Sequence, residues 1–173
     1  QPTLEEMTRK AIGLLSGDPD GFFLMVEGSQ VDWACHANDP AYLLSDLLAY
    51  DRAVAAALDF AKRDGRTLVL AMSDHNTGGF SIGNQASNGI YPQMKVEAFL
   101  DPFRKMQASS VRMWELIGPD KTAAQVKAVV KEGWALDIAD EDARQILSLA
   151  ESYKDSAYQA IGEVLSPKYT YVG

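Results

Sequence analysis

The 173-residue chain has few of the side chains that most often bind metals or form cross-links, since it holds only two histidines and one cysteine. The lone Cys35 cannot form an internal disulfide, so cysteine usage does not indicate a redox compartment. No run reaches the roughly 18 apolar residues that a membrane-spanning helix needs, and we predict no membrane span. The N-terminus lacks the basic-then-apolar pattern of an export signal, so we expect none within these residues.

Positive charge is also scarce, because the chain carries a net charge of −8 and has no basic run. This charge argues against a nucleic acid or an anionic membrane surface as a partner. An anionic substrate would need bound cations to hold it against this charge. With 47% hydrophobic residues, the chain is able to bury one sizeable core.

The hydrophobic pattern of the first half predicts helices and two buried strands. A capping box predicts a first helix over about residues 4–16. Two continuous apolar runs, at 22–26 and 67–72, are typical of strands that are buried on both faces. Helical spacing between them predicts a crossover helix over 42–63. Strand, helix and strand together predict one right-handed βαβ unit with parallel strands.

The second half begins with a loop rich in Gly, Asn and Ser at 78–94 and is predicted to be mostly helical after it. Asp140 is expected to cap the last predicted helix, and the final residues 168–172 have the propensity of a short strand. The three helices predicted beyond the loop span about 102–117, 122–132 and 140–165.

Both histidines lie among carboxylates directly after the two strand-like runs. Glu27, Asp32 and His36 follow the first run, and Asp74 and His75 follow the second. Because the carboxyl ends of parallel strands meet at one edge of a sheet, this arrangement predicts that the side chains converge on a metal site. Residues four apart share one face of a helix, and aspartate with histidine suits zinc. A glutamate, which offers only oxygen atoms, suits magnesium.

Each motif has a simpler interpretation when it is taken alone. Asp32 and His36 are then exposed residues of a loop and a helix, and His75 donates to a nearby backbone carbonyl. Asp74 and His75 are adjacent, so they face the same side only if the backbone turns, as a turn at 77–79 would permit. The two sets of candidate ligands are separated by one predicted crossover helix. This arrangement favours a common metal site over the separate interpretations.

The runs at 26–39 and 73–79 resemble the metal-binding motifs of alkaline phosphatases. The family motifs are Val-Glu-Gly-Ser-Gln-Ile-Asp-Trp-Ala-x-His-Ala-Asn-Asp and Ala-Asp-His-Glu-Thr-Gly-Gly. The likeness covers residues 15–83. It implies an α/β fold, in which this chain is a fragment of an alkaline-phosphatase-like sheet with flanking helices, followed by a mostly helical insertion.

The resemblance also implies a ligand set and a reaction. Asp32 and His36 match ligands of one zinc ion, Asp74 and His75 match ligands of a second, and Glu27 matches a magnesium ligand. The implied reaction is hydrolysis of phosphate monoesters by two-zinc phosphoryl transfer through a phosphoserine. The family further implies a homodimer with a periplasmic or secreted location.

Several family features have no counterpart in this chain. No histidine follows His75 to complete the first zinc site, and the family's upstream serine nucleophile is missing. An Asp-Ser-Ala run at 155–157 reproduces the nucleophile letters, but it lies downstream in a predicted helix and is interpreted as chance. We therefore expect 1–83 to be part of the α/β core and 84–173 a helical insertion, joined in the intact enzyme to the remainder of the parent polypeptide. The chain alone is expected to be inactive.

Two rival functions remain open. Another member of the same superfamily, such as a phosphomutase or phosphodiesterase, would share the metal ligands but not the Val-Glu-Gly-Ser-Gln run. A non-catalytic metal-binding or interaction module would instead depend on the helices of 95–166. Trp33, beside the first motif, is expected to pack in the first turn of a helix rather than to line a substrate cleft.

Overall fold

A computed structural model describes residues 1–77 and 80–172, and the regular structure of these residues is helical. Short 3-10 turns lie at Tyr91–Gln93 and Lys154–Ser156. None of the helices in the described residues combines the length and apolar character that crossing a bilayer requires. Eight α-helices follow one another in these residues: α1 (Leu4–Leu15), α2 (Ser29–His36), α3 (Pro40–Asp64), α4 (Val96–Arg104), α5 (Ser110–Leu116), α6 (Ala123–Trp134), α7 (Asp140–Tyr153) and α8 (Gln159–Tyr169).

The chain divides into two compact units. Unit 1 consists of Gln1–Val31 and Leu44–His75, and unit 2 consists of Asp32–Leu43 and Asn76–Gly173. Each unit consists of two separate stretches of sequence, so no single position in the chain is the boundary between the units. The expected change from core to insertion near residue 83 stays a prediction.

In unit 1, the two runs predicted as strands are extended but form no strand within the described residues. Alternate side chains of 22–26 are half-buried, and the ring of Phe22 lies 6.1 Å from that of Phe60 on α3. The other side chains of the run are exposed. A strand requires a hydrogen-bonded neighbour, and neither 22–26 nor 67–72 has one in the described part of the chain. The described residues therefore do not confirm the βαβ unit, and the alternating exposure of 22–26 shows that this run is not buried on both faces here.

The helices of unit 1 follow the sequence signals closely. The capping box is confirmed, because Thr3 Oγ1 accepts from Glu6 N at 3.2 Å and Glu6 Oε2 accepts from Thr3 N at 2.8 Å. The predicted crossover helix is also confirmed, and it begins two residues earlier than expected, at Pro40. Few side chains of this unit are buried, and most of those are small. They are Thr8, Ile12, Ala53 and Ala56.

Unit 2 contains the larger core, which helices α5 to α8 build between them. Trp134 is buried at the end of α6, and its Nε1 donates to Ala108 O at 2.9 Å, which satisfies its one polar atom. A capping box begins α6 at the start predicted for this helix, with Gln125 N donating to Thr122 Oγ1 and Thr122 N donating to Gln125 Oε1. The side chains buried in this core include Met113, Ile117, Val126, Val130, Ile146, Ile161 and Leu165.

Three helix boundaries in unit 2 differ from prediction. Pro102 lies inside α4 rather than at a helix start, and a new helix begins at Ser110 because Ser109 Oγ accepts from Arg112 N. The long helix expected over 140–165 breaks at Lys154, whose φ of 49° places it in the left-handed region.

The strand propensity of 168–172 does not produce a strand in these residues. Lys168 and Tyr169 continue α8, and only Val172 forms an isolated antiparallel bridge, with Ile82. Helix α8 continues through Lys168 and Tyr169, so the local propensity for a strand is overridden at these two residues.

Asp142 ties the beginning of α7 to the end of α8. It is almost fully buried, and its carboxylate accepts from Lys168 Nζ at 2.6 Å, Tyr169 OH at 2.6 Å and Ala139 N at 3.0 Å. Burial opposes ionisation, but these three donors outweigh it and hold the pKa of Asp142 below its usual range. The ionised carboxylate therefore stabilises the fold.

We expect Asp142→Asn to lower the melting temperature near pH 7, because the neutral amide cannot accept from all three donors. A carboxyl whose folded pKa is depressed stabilises above its unfolded pKa of 3.8, and that stabilisation is lost as pH falls through the lower folded value. The difference between variant and wild type should therefore shrink towards pH 2. Asp140→Asn, in an exposed pair with Lys127, is the control and should change little. A difference that does not depend on pH would contradict this account.

We expect the exposed faces of the two extended runs to make the isolated chain self-associate at micromolar concentration. Sedimentation equilibrium measures this association. Leu70→Lys, at a side chain that is 74% exposed in this face, should shift the chain towards monomer because a charge resists burial. Leu14→Lys is the control, since Leu14 is 70% exposed on α1 and outside both runs. Equal effects of the two substitutions, or a wild-type monomer, would show that this face does not drive association.

Candidate metal centre

Helix α2 brings Asp32 and His36 together, as their spacing predicts. Asp32 Oδ2 lies 3.5 Å from His36 Nε2, and the side chains are 37% and 58% exposed. Two ligand atoms on a tetrahedral zinc ion with bonds of 2.0–2.1 Å are about 3.3 Å apart. The pair is therefore spaced to bind one zinc ion, and its exposure leaves room for further ligands.

Thr77 contacts this pair from the second motif. Its hydroxyl donates to Asp32 Oδ1 at 2.8 Å, which leaves Oδ2 as the oxygen nearest to His36. An outer hydrogen bond of this kind orients a ligating carboxylate and fixes which oxygen faces the metal. Sequence reasoning treated Thr77 only as part of a turn. Its place two residues beyond His75, in the same motif, was the available signal.

Asp74 and His75 form a second pair, in unit 1. Asp74 Oδ2 lies 3.5 Å from His75 Nε2, and Asp74 Oδ1 accepts from the backbone N of His75 at 3.0 Å. The chain bends at Asp74, so two adjacent side chains point to the same side despite the extended run before them. The predicted turn at 77–79 lies partly outside the described residues, because Gly78 and Gly79 do. Thr77 itself has a φ of 47°, in the left-handed region.

Glu27, the predicted magnesium ligand, is exposed at the end of the first extended run. The glycine after it fits closely, since a Cβ at Gly28 would lie 2.7 Å from Cδ2 of Tyr50 on α3. Across residues 1–77 and 80–172, no group of three or more His, Cys, Asp or Glu side chains is placed to hold a metal ion. The structure thus shows two ligand pairs and one separate carboxylate, and the metal roles of these residues stay predictions.

The residues beside His36 do not extend the first pair. Trp33 is 57% exposed, so the prediction that it packs is wrong for this chain. Burial raises the pKa of the Cys35 thiol, and the charge of Asp32 raises it further. Cys35 is therefore protonated near neutral pH in the metal-free chain, and it forms no three-residue group with Asp32 and His36 in the described residues that could hold a metal ion.

The Asp-Ser-Ala run at 155–157 lies at the 3-10 turn between α7 and α8, not inside a helix as expected. Ser156 therefore does not begin a helix, whereas the family nucleophile caps the amino end of one. The interpretation of this run as chance stays a prediction.

Comparisons with known proteins agree with the motifs. Residues 1–129 match the model of the family described as alkaline phosphatase. Alkaline phosphatase 3 of Bacillus subtilis (strain 168) is 54% identical over 90 residues, which are 52% of this chain and 19% of that protein. The chain belongs to the alkaline phosphatase family.

Two solved structures resemble the fold of nearly the whole chain. A cold-active alkaline phosphatase from the psychrophile Shewanella sp. is 26% identical with a TM-score of 0.73, and the match covers 99% of this chain and 40% of that one. The alkaline phosphatase of Thermus thermophilus is 23% identical with a TM-score of 0.80, covering 99% and 39%. The chain thus spans about two fifths of these structures and about a fifth of the curated relative.

We expect the 173-residue chain to bind Zn²⁺ only weakly, in the micromolar range or above, when titrated by calorimetry. Each Asp/His pair supplies two of the four ligands of a tetrahedral site, and water must supply the rest. Replacing both histidines by asparagine should abolish the heat of this weak Zn²⁺ binding. Binding on the order of nanomolar would mean that other residues ligate the ion.

Proposed function

We propose that the whole protein hydrolyses phosphate monoesters and that this chain supplies five of its metal ligands. The observation that carries the proposal is the pair of Asp/His contacts, each with 3.5 Å between ligand atoms, within the family's two motifs. Asp32 and His36 would hold one zinc ion, Asp74 and His75 a second, and Glu27 a magnesium ion.

The chain's own residues prepare this site for an anionic substrate. The hydroxyl of Thr77 donates to Asp32 Oδ1 and so orients the carboxylate with Oδ2 towards His36. When bound, two zinc ions would stabilise the attacking and leaving oxygens of a phosphoryl transfer. A chain of net charge −8 depends on such cations to hold a phosphate monoester.

The catalytic serine and the third histidine of the first zinc site are family features without a counterpart in these 173 residues. We infer that the rest of the parent polypeptide supplies them and that this chain alone is inactive. We also infer that the parent pairs the extended runs 22–26 and 67–72 into an α/β sheet, with 1–83 in the core and 84–173 as a helical insertion. The similar fold of two solved alkaline phosphatases supports this inference.

The assembly and location of the whole protein are also proposals. We propose a homodimer in the periplasm or secreted, and membership of the family is the support for both.

In the whole protein, His36→Ala and His75→Ala should each lower bound zinc and the hydrolysis of p-nitrophenyl phosphate together, because each removes a direct ligand. Zinc is measured by inductively coupled plasma mass spectrometry on the dialysed protein. Asp51→Ala, which removes an exposed carboxylate of α3, is the control and should change neither quantity. Wild-type zinc content and rate in His75→Ala would contradict the assignment.

The same assay separates the rival functions. A phosphomonoesterase should hydrolyse the aryl monoester much faster than bis(p-nitrophenyl) phosphate, whereas a phosphodiesterase would show the reverse order. The 173-residue chain should give no turnover above background. Zinc-dependent turnover by this chain that Ser156→Ala abolishes would show that the run at 155–157 is the nucleophile after all.

A further inference from the structure

The three residues that follow His36 form a short junction between α2 and α3, defined here as residues 37–39. Ala37 and Asp39 are buried, whereas the side chain of His36 is 58% exposed. The junction belongs to unit 2, together with α5 and α8. His36 therefore has an exposed imidazole at the end of a helix whose next residues are packed inside the unit.

His36 depends on this junction because its own helix cannot hold it. Helix α2 has eight residues, and isolated helices of this length are marginal in water. The last turn of a helix also frays more readily than its centre. A ligand that must keep its imidazole within about 0.5 Å of a productive position therefore needs support from elsewhere in the fold.

The junction ends α2 with a defined backbone geometry. Asn38 has a φ of 47°, in the left-handed region that closes helix C-termini. Its backbone N donates to Cys35 O at 3.1 Å, and Asp39 N donates to Ala34 O at 3.0 Å. These bonds satisfy carbonyls of the last turn and do not use the carbonyls of Ala37 and Asn38.

Helix α8 packs directly on the carbonyls of Ala37 and Asn38. A Cβ built on Gly162 would lie 1.9 Å from Ala37 O and 2.8 Å from Asn38 O, so only glycine lets α8 approach this closely. One turn further along α8, Ser166 Oγ donates to Asn38 O at 2.5 Å. The helix thus fixes the end of α2 by close packing and by one hydrogen bond.

Helix α5 fixes the other end of the junction. The Asp39 carboxylate is fully buried, and it accepts from Ser110 N, at the start of α5, at 2.5 Å through Oδ2. Its Oδ1 accepts from Tyr42 N at 2.9 Å and so caps α3. Burial raises the pKa of Asp39, and the two backbone donors oppose that rise.

We propose that α5 and α8 position the metal-binding imidazole of His36 by clamping the junction through Ser110, Gly162 and Ser166. Gly162 and Ser166 are thus positioning residues. The proposal rests on the assignment of His36 as a zinc ligand, and it gives the helical region after residue 95 a role in the metal site. His75 belongs to unit 1 and is not part of the junction.

The test compares Gly162→Ala with wild type in the 173-residue chain. Zn²⁺ is titrated while the imidazole ¹⁵N signals of the two histidines are followed by NMR, which gives a separate affinity for each. We expect the affinity for Zn²⁺ at His36 to fall about tenfold, which is the usual effect of removing a residue that orients a metal ligand. We expect the affinity at His75 to stay unchanged. Gly13→Ala, at a glycine of α1 with no atom within 4 Å of the added Cβ, is the matched control and should change neither.

Ser166→Ala is the second variant, in case the added methyl at Gly162 prevents folding. It removes only the hydroxyl that donates to Asn38 O, so we expect a smaller loss at His36 alone. Amide hydrogen exchange of Asn38 and Asp39 in the zinc-free chain should also become faster.

The possible outcomes separate this proposal from the proposed function. If Gly162→Ala and Ser166→Ala leave zinc binding unchanged at both histidines, the clamp is overturned. The clamp is also overturned if both variants weaken zinc binding equally at His36 and His75. In either case the metal assignment stands. No zinc response at either histidine of the wild-type chain would overturn both.

Discussion

The buried carboxylate of Asp39 is the interaction on which the arrangement of unit 2 depends. A carboxylate removed from water destabilises a fold by several kcal/mol unless hydrogen bonds replace its hydration. The backbone donors of Tyr42 and Ser110 supply those bonds, and they come from two different helices. Satisfying Asp39 therefore requires α3 and α5 to begin at the same point in space. His36 lies three residues away, so its position is set by the same requirement.

The two units use different physical means to hold their helices. Unit 2 buries a continuous apolar core and satisfies Asp142 and the Trp134 nitrogen at its edges. Unit 1 covers only one face of two extended apolar runs and leaves large side chains such as Phe23 and Leu68 in solvent. Apolar area that stays in water contributes nothing to stability. The proposed metal ligands Glu27, Asp74 and His75 thus follow segments that have no strand neighbours in the described residues.

The sequence predicted the two Asp/His contacts because their geometry is local. Asp32 and His36 need only a helix to share a face, and Asp74 and His75 need only a bend. It missed the junction after His36, although Asn-Asp-Pro carries three recognised signals: a residue tolerant of the left-handed region, a helix N-cap and a proline for the first turn. It also missed Gly162, because a glycine inside a helical pattern does not reveal which backbone it packs against.

The sequence by itself determined where α1 and α6 begin, since the capping boxes at Thr3 and Thr122 act within a few residues. It also determined the family, because the metal motifs are contiguous runs. Only the tertiary structure decided whether the apolar runs become strands, since a strand needs a partner from elsewhere. Only the tertiary structure placed Thr77 on Asp32 and α8 on the end of α2, contacts that span 45 and 128 residues. Long-range contacts follow from the packing of whole helices, which no local pattern encodes.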